Sequence, residues 1–283
     1  MADKIKPHAV DRVKKIRAWE LKNNYREAQH IKGFKKYKNY FVPESIVKSS
    51  KTVLSFGVGG NVAFEKLVAF ENTDIHVEMY DPTPRSIFLI KNIINASGRK
   101  TISQAVPTIN LNKQVTKRLH FNPIAYGKEN GILPFYYDPA REPDKEEVNG
   151  QKRSKEDVIR NQEQSFSLVK RQEHFESVDV EVKNLETIIK EHDLTSVDIL
   201  KADIEGLWWE FGNEVIDKKI DCKFLAMELE LNFEKDEKVE PALEKAQILC
   251  DKFKANNYDV VINRRRDKLM LEMLFIRKDA YAG

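Results

Sequence analysis

The sequence predicts an α/β fold in which helices cover both faces of a mostly parallel sheet. Three observations carry this. From Thr52 onwards, short apolar β-rich runs alternate with helical stretches. The first run ends in Gly57-Val58-Gly59-Gly60 and opens directly into a helix. The last two runs are separated by only a few residues around Arg266 to Lys268. Regular alternation of strand and helix implies parallel strands joined by crossovers. The final pair is joined too tightly for parallel neighbours, so it is predicted antiparallel. The expectation is a seven-stranded sheet with an antiparallel last strand. With 41% of its 283 residues hydrophobic, the chain can form one such domain plus an extension.

The elements follow in order. Residues 8–32 are predicted helical, because Ala9, Val13, Ile16, Trp19 (or Ala18) and Leu21 recur at spacings of three to four. This stripe is expected to pack on the chain's own domain. Residues 33–45 interleave aromatics with lysines, a pattern that stacks bases or sugars, or docks its rings on a core. Residues 1–50 are thus read as a basic helical extension and 51–283 as the main domain. Strands are expected at VLSFGVGG, DIHVEMYDPTP, RLHFNPIAYG, VDILKADIEG and KFLAMELEL, before the closing pair YDVVINRRR and LMLEMLFIRK. Helices are expected at NVAFEKLVAFEN, at RSIFLIKNIINAS, from about Leu207, and over PALEKAQILCDKFKANN. Residues 138–164 are polar and charged, and are expected as a surface excursion, either a lid or a plain loop.

Composition narrows the function classes. The net charge is +3, but residues 1–52 hold 14 Lys and Arg against 5 Asp and Glu. A solvated helical face explains that surplus; so does contact with phosphates, acidic glycans or a membrane surface. The two cysteines, Cys222 and Cys250, form no disulfide framework and no zinc spacing. Together with an N-terminus lacking an apolar core, this leads to the expectation of a cytoplasmic protein. No apolar run approaches the roughly 18 residues of a spanning helix.

The turn Ser55-Phe56-Gly57-Val58-Gly59-Gly60-Asn61 is the first candidate site. Its glycines allow a tight bend and close approach of backbone to a ligand, at a helix N-terminus with free N–H groups. A dinucleotide fingerprint needs a third glycine where Val62 stands, which disfavours a nicotinamide cofactor. The carboxylate of S-adenosylmethionine can use the same donor-rich turn. Asp81 ends the second strand 22 residues beyond Gly59, close to the roughly 20 expected of an acid that accepts ribose hydroxyls. A turn-forming Asp before Pro82 is the structural alternative.

Carboxylates at strand ends form the second candidate site. Lys201, Asp203 and Glu205 share one period-2 face as a central strand ends. Burying such groups is costly unless they are paired or used. Glu228 and Glu230 repeat the pattern one strand later. These carboxylates can hold a divalent metal or supply a general base; structural pairing of Lys201 with Asp203 or Glu228 is the plainer reading. His76 and His120 flank strands, and His174 precedes one. Trp208 and Trp209 can line an acceptor pocket but fit core packing better.

These residues resemble the FkbM-type methyltransferases. The resemblance is carried by Asp198 to Gly206, by Val180 to Ile189, by Phe121 to Gly127 with Asn130-Gly131, and by Ser165 to Val169. It covers roughly residues 40–278 and is most specific at K-x-D-x-E-G. The chain departs at Asn184, where the family usually has Thr, and at Trp208-Trp209. The resemblance implies a Rossmann-like class I methyltransferase using S-adenosylmethionine, with a sugar, polysaccharide or glycan-precursor hydroxyl as acceptor. It implies that Gly57 and Gly59 carry the donor turn, that Asp81 holds ribose and that Ala125 and Tyr126 lie near adenine. Lys201, Asp203 and Glu205 would lie by the methyl group or acceptor. An RNA- or protein-directed methyltransferase using the basic arm, and a non-catalytic module with a degenerate pocket, are the competing expectations.

Overall fold

The computed structural model describes residues 7–95, 113–138, 147–148, 151–152, 166–170, 172–204, 206–230, 239–264 and 270–281. In chain order the elements begin with α1 (Pro7–Asn23), β1 (Arg26–Glu27), the pair β2 (Phe34–Tyr37) and β3 (Tyr40–Pro43), and α2 (Glu44–Ser49). Then come β4 (Thr52–Phe56), α3 (Ala63–Glu71), β5 (His76–Tyr80), α4 (Pro84–Asn95), α5 (Lys113–Thr116), β6 (Leu119–Asn122), β7 (Ala125–Tyr126) and β8 (Gly131–Tyr137). The short strands β9 (Glu147–Val148) and β10 (Gln151–Lys152) lie in the polar stretch, most of which is outside the described residues. The remainder is β11 (Glu176–Lys183), α6 (Leu185–Glu191), β12 (Val197–Ala202), α7 (Trp208–Asp217), β13 (Cys222–Glu230), α8 (Val239–Ala255), β14 (Tyr258–Arg264) and β15 (Met270–Arg277).

The central sheet runs β1-β14-β15-β13-β12-β4-β5-β6. β13, β12, β4, β5 and β6 are parallel neighbours, and β15 runs antiparallel between β13 and β14. This is the predicted α/β architecture, a mostly parallel sheet with an antiparallel last strand. The eighth strand is β1, two residues of the N-terminal segment lying parallel to β14. Two residues carry no periodic signal, so the sequence predicts seven.

Period-2 alternation along the strands divides the core between the two faces. On one face, Leu54, Phe56, Leu200, Leu225 and Phe275 pack under α1, α6, α7 and α8. On the other, Val53, Val77, Met79, Ile199 and Phe224 pack under the β2–β3 hairpin, α2, α3, α4 and α5. Helix α1 stops short of the predicted span because Asn24 adopts a left-handed conformation at φ 49, which Asn tolerates at a helix C-terminus. Its Ile16 is buried against the main core and Trp19 packs beside it, while Leu21 is exposed.

The aromatic–lysine run is the β2–β3 hairpin. Tyr37 and Tyr40 are buried, and Tyr40 meets Phe64 edge-on at 5.1 Å. Docking on the core is therefore what these rings do. The predicted third strand divides at Pro123, which has no N–H for a ladder. β6 stays in the main sheet, while β7 pairs with β11 in a separate sheet of order β7-β11-β8.

Candidate active site

The chain lays down β4, β5 and β6 towards one edge, then crosses to place β12 on the other side of β4. Such a reversal opens a crevice at the carboxyl ends of the two strands, where open α/β sheets bind ligands. Gly57, Gly59, Asp81 and Asp203 stand at that point.

The ends of β4, β5 and β12 are joined by backbone. Gly57 N–H donates to the Tyr80 carbonyl at 2.9 Å, and Asp203 N–H donates to the Phe56 carbonyl at 3.1 Å. Gly57 has φ 67, and a β-carbon there would lie 1.6 Å from the Asp203 carbonyl oxygen. The bend therefore needs glycine for both conformation and space. Gly59 also has a positive φ, 61, and its N–H donates to Asp81 Oδ2 at 2.7 Å. Asp81 Oδ1 accepts from the Thr83 N–H at 2.9 Å and from the Thr83 hydroxyl at 2.6 Å. The Asp-Pro-Thr turn thus exists, and it fixes the carboxylate against the glycine bend. Gly57, Gly59, Asp81 and Asp203 form one connected group.

The other candidates occupy different surroundings. Asp203 is half-buried at the crevice. Lys201 is buried, with its ammonium 3.8 Å from Glu65 Oε1 and 3.5 Å from the Gly57 carbonyl oxygen. The ammonium also stands 5.3 Å from the Tyr40 ring centroid. Its ionic partner is thus Glu65, not Asp203 or Glu228 as the sequence suggested. Glu228 is buried directly across from Glu272, whose Oε1 accepts from Asn263 Nδ2 at 2.8 Å. Glu205, and the side chain of Glu230, lie outside the described residues.

The Phe56 ring is in the core, stacked on Tyr80 at 4.7 Å, so only its backbone reaches the turn. Tyr126 is buried against Phe211 and donates its hydroxyl to Glu214 Oε2 at 2.8 Å. Burial, with Glu214 beside it, pushes that hydroxyl far above the ordinary phenol range. Ala125 is buried next to it. Asn61 Oδ1 accepts from the Ala63 N–H at 3.1 Å, closing the entry to α3. Trp208 belongs to the core, and Trp209 meets it edge-on. His174 is exposed and faces Asp138 at 3.3 Å, while the His76 and His120 rings stack on the outside of β5 and β6.

Sequence reasoning missed Thr83 and Glu65, and it named Ser55 in the turn without its partner. The Asp-x-Thr spacing signals the first, since an Asp side chain commonly binds the backbone two residues on. Ser55 and Glu65 are ten residues apart on a strand and a helix, and no local periodicity links them. The departure at Asn184 is conservative. Its side chain accepts from the Thr187 N–H at 2.9 Å as the N-cap of α6, a role Thr also fills.

Among the described residues, no group of three or more His, Cys, Asp or Glu is arranged to hold a metal ion. No helix among them is long and apolar enough to cross a membrane. The residues at the bend do fit an adenosyl donor. A carboxylate is held against a glycine turn, which itself packs on the backbone of Asp203.

The sequence matches the methyltransferase FkbM domain over residues 40–260. No curated protein matches it significantly. Among solved structures it is similar to a precorrin-6y C5,15-methyltransferase from Geobacter metallireducens GS-15. The identity is 7% and the TM-score 0.38, over 82% of this chain and 84% of that one. It is also similar to an O-methyltransferase family protein from Burkholderia thailandensis. There the identity is 11% and the TM-score 0.38, over 83% of this chain and 54% of that one. Overlap at that level adds nothing to the assignment, which rests on the domain match and on the motifs at the crevice. The chain belongs to the FkbM methyltransferase family and is an S-adenosylmethionine-dependent methyltransferase.

Proposed function

We propose that the enzyme methylates a hydroxyl of a sugar, polysaccharide or glycan precursor. The observation that carries this is the contact of Asp203 with the glycine bend. The Asp203 backbone packs on the bend, and its half-buried side chain is the acid we assign to the meeting of donor and acceptor. When bound, S-adenosylmethionine supplies the activated methyl group. Gly57 and Gly59 shape the turn that receives its amino-acid end. Asp81 is held by three hydrogen bonds and keeps lone-pair capacity for a ribose hydroxyl. By resemblance to the family, Ala125 and Tyr126 would lie near the adenine. Asp203 orients the acceptor and takes its hydroxyl proton, with Glu228 adding negative charge at the end of the neighbouring strand. The reaction needs no oxidant and no covalent enzyme intermediate.

The test is transfer of a labelled methyl group from S-adenosylmethionine across a panel of nucleotide sugars, glycans and RNAs. Label in a sugar hydroxyl is the expected result. Label confined to RNA or protein would overturn it.

A second reading has one observation in its favour. The β2–β3 hairpin carries exposed Lys35, Lys36 and Lys38, and its Asn39 carbonyl accepts from Asn263 near the end of β14. A basic element beside the crevice suits a polyanionic acceptor such as RNA. Activity on such an acceptor falls steeply with salt, whereas activity on a neutral glycan does not.

A further inference from the structure

Beneath the glycine bend lies a buried charge pair that no reading of the motif anticipates. Ser55 and Lys201 are cross-strand partners on β4 and β12. Glu65 descends over both from the first turn of α3. Its Oε1 accepts from the Ser55 hydroxyl at 2.6 Å and stands 3.8 Å from the Lys201 ammonium. Among the described residues, Glu65 Oε2 is buried without a hydrogen-bond partner. Both side chains are almost wholly shielded, at 1% for Glu65 and 6% for Lys201. The ammonium points up to the Gly57 carbonyl oxygen, roofed by the Tyr40 ring.

A buried ion pair is a poor route to stability, because desolvation offsets the attraction and an apolar pair of the same volume often does as well. This pair also leaves a carboxylate oxygen unsatisfied, which costs more. What it does supply is a fixed positive group under one peptide of the bend. That peptide must stay in a left-handed conformation while α3 starts two turns of chain away. Lys201 is within reach of the Gly57 carbonyl, next to the residues whose Gly59 N–H holds Asp81.

We propose that Glu65 and Lys201 are a positioning pair that sets the donor turn for the amino-acid end of the methyl donor. Lys201 acts through the Gly57 carbonyl and Glu65 acts through Lys201; neither is a catalytic residue. The inference rests on the donor site described above, and it predicts a ligand-specific effect. Groups that meet the amino-acid end feel the loss of the pair, and groups that meet the adenosine end do not.

The test is calorimetric titration with S-adenosylhomocysteine and with 5′-methylthioadenosine, which lacks the amino-acid end. Lys201→Met alone strands a buried carboxylate and can prevent folding, so the informative protein is Glu65→Gln/Lys201→Met, which has no buried charge at the pair. In that variant the affinity for S-adenosylhomocysteine is expected to fall about tenfold, as for loss of a hydrogen bond to a charged group. The affinity for 5′-methylthioadenosine is expected to stay unchanged, which also shows the variant to be folded. Native affinity for both probes, or equal loss of both, would overturn the positioning role. Failure of the unaltered protein to bind either probe would instead remove the donor site itself, and the pair's role with it.

Discussion

The carbonyl oxygen of Asp203 lies 1.6 Å from the point where a β-carbon on residue 57 would sit. Two motifs 146 residues apart in the chain therefore share one packing constraint. The glycine bend can close only against the backbone of the strand that carries the acid. The shape of this crevice is set by backbone fit before any side chain contributes.

Gly57→Ala is accordingly expected to be among the most damaging small substitutions. The methyl group meets backbone, which cannot rotate away, and φ 67 strains any L-residue. We expect a loss of about 3 kcal/mol or more, or failure to accumulate soluble protein. Urea unfolding measures it. A change below about 1 kcal/mol would mean that the bend and β12 are further apart than described.

Asp203→Asn tests the acid without disturbing that packing, because the residue's N–H and carbonyl remain. Turnover is expected to fall by about 100-fold or more if the carboxylate takes the acceptor proton. Donor affinity and melting temperature should stay near native. Full turnover in this variant would move proton removal to another group.

Asp198 illustrates a strand-end carboxylate with a purely structural role. It sits at the opposite end of β12, accepts from the Lys51 and Thr52 N–H groups, and pairs with Lys223 at 2.6 Å. Burial alone would raise its pKa, but Lys223 and the two N–H groups outweigh that and hold it below the usual carboxylate range. The folded value is thus lower than the unfolded one, about 3.9. Its contribution is complete above that value and is lost as pH falls through the folded value. Asp198→Asn is expected to cost about 1–3 kcal/mol at neutral pH, and progressively less as pH falls below about 4. Denaturant unfolding at both pH values checks the sign. An equal cost at both would contradict the ionic account.

The two cysteines are expected to be silent. Cys222 and Cys250 are buried and unpaired with each other, and burial pushes both thiols up to about 12. Reactivity needs thiolate and access, and neither is present. A chromogenic disulfide reagent at pH 8 should label neither thiol in the folded protein and both in denaturant. Rapid labelling of the native protein would show that α8 or β13 opens locally.

The parts of this site that were legible in the sequence are those where one element carries its own signal. Gly57 and Gly59 break a β-rich run, Asp81 ends the next strand, and Asp203 interrupts an apolar one. Each is a local anomaly in a regular pattern. Lys201 was also conspicuous, but its partner was not. Glu65 reads as an ordinary helix residue, and only the crossing of α3 over β4 and β12 brings it to the ammonium. The same reason hides the β7-β11-β8 sheet, which depends on Pro123 releasing one strand and on a pairing partner more than 50 residues away. Phe56 and Tyr126 show the converse limit. Proximity in a motif places a residue at the site, whereas strand alternation turned both rings into the core.

The glycine bend and Asp81 are proposed to grip an adenosyl group together, beside Asp203. Calorimetric titration of S-adenosylmethionine into the unaltered protein and into Asp81→Ala tests it most directly. The account predicts saturable binding to the first and affinity at least about tenfold weaker in the second, as expected when a carboxylate's hydrogen bonds to a ligand are lost. No heat with the unaltered protein at high micromolar donor, or equal affinity in the two, would contradict it.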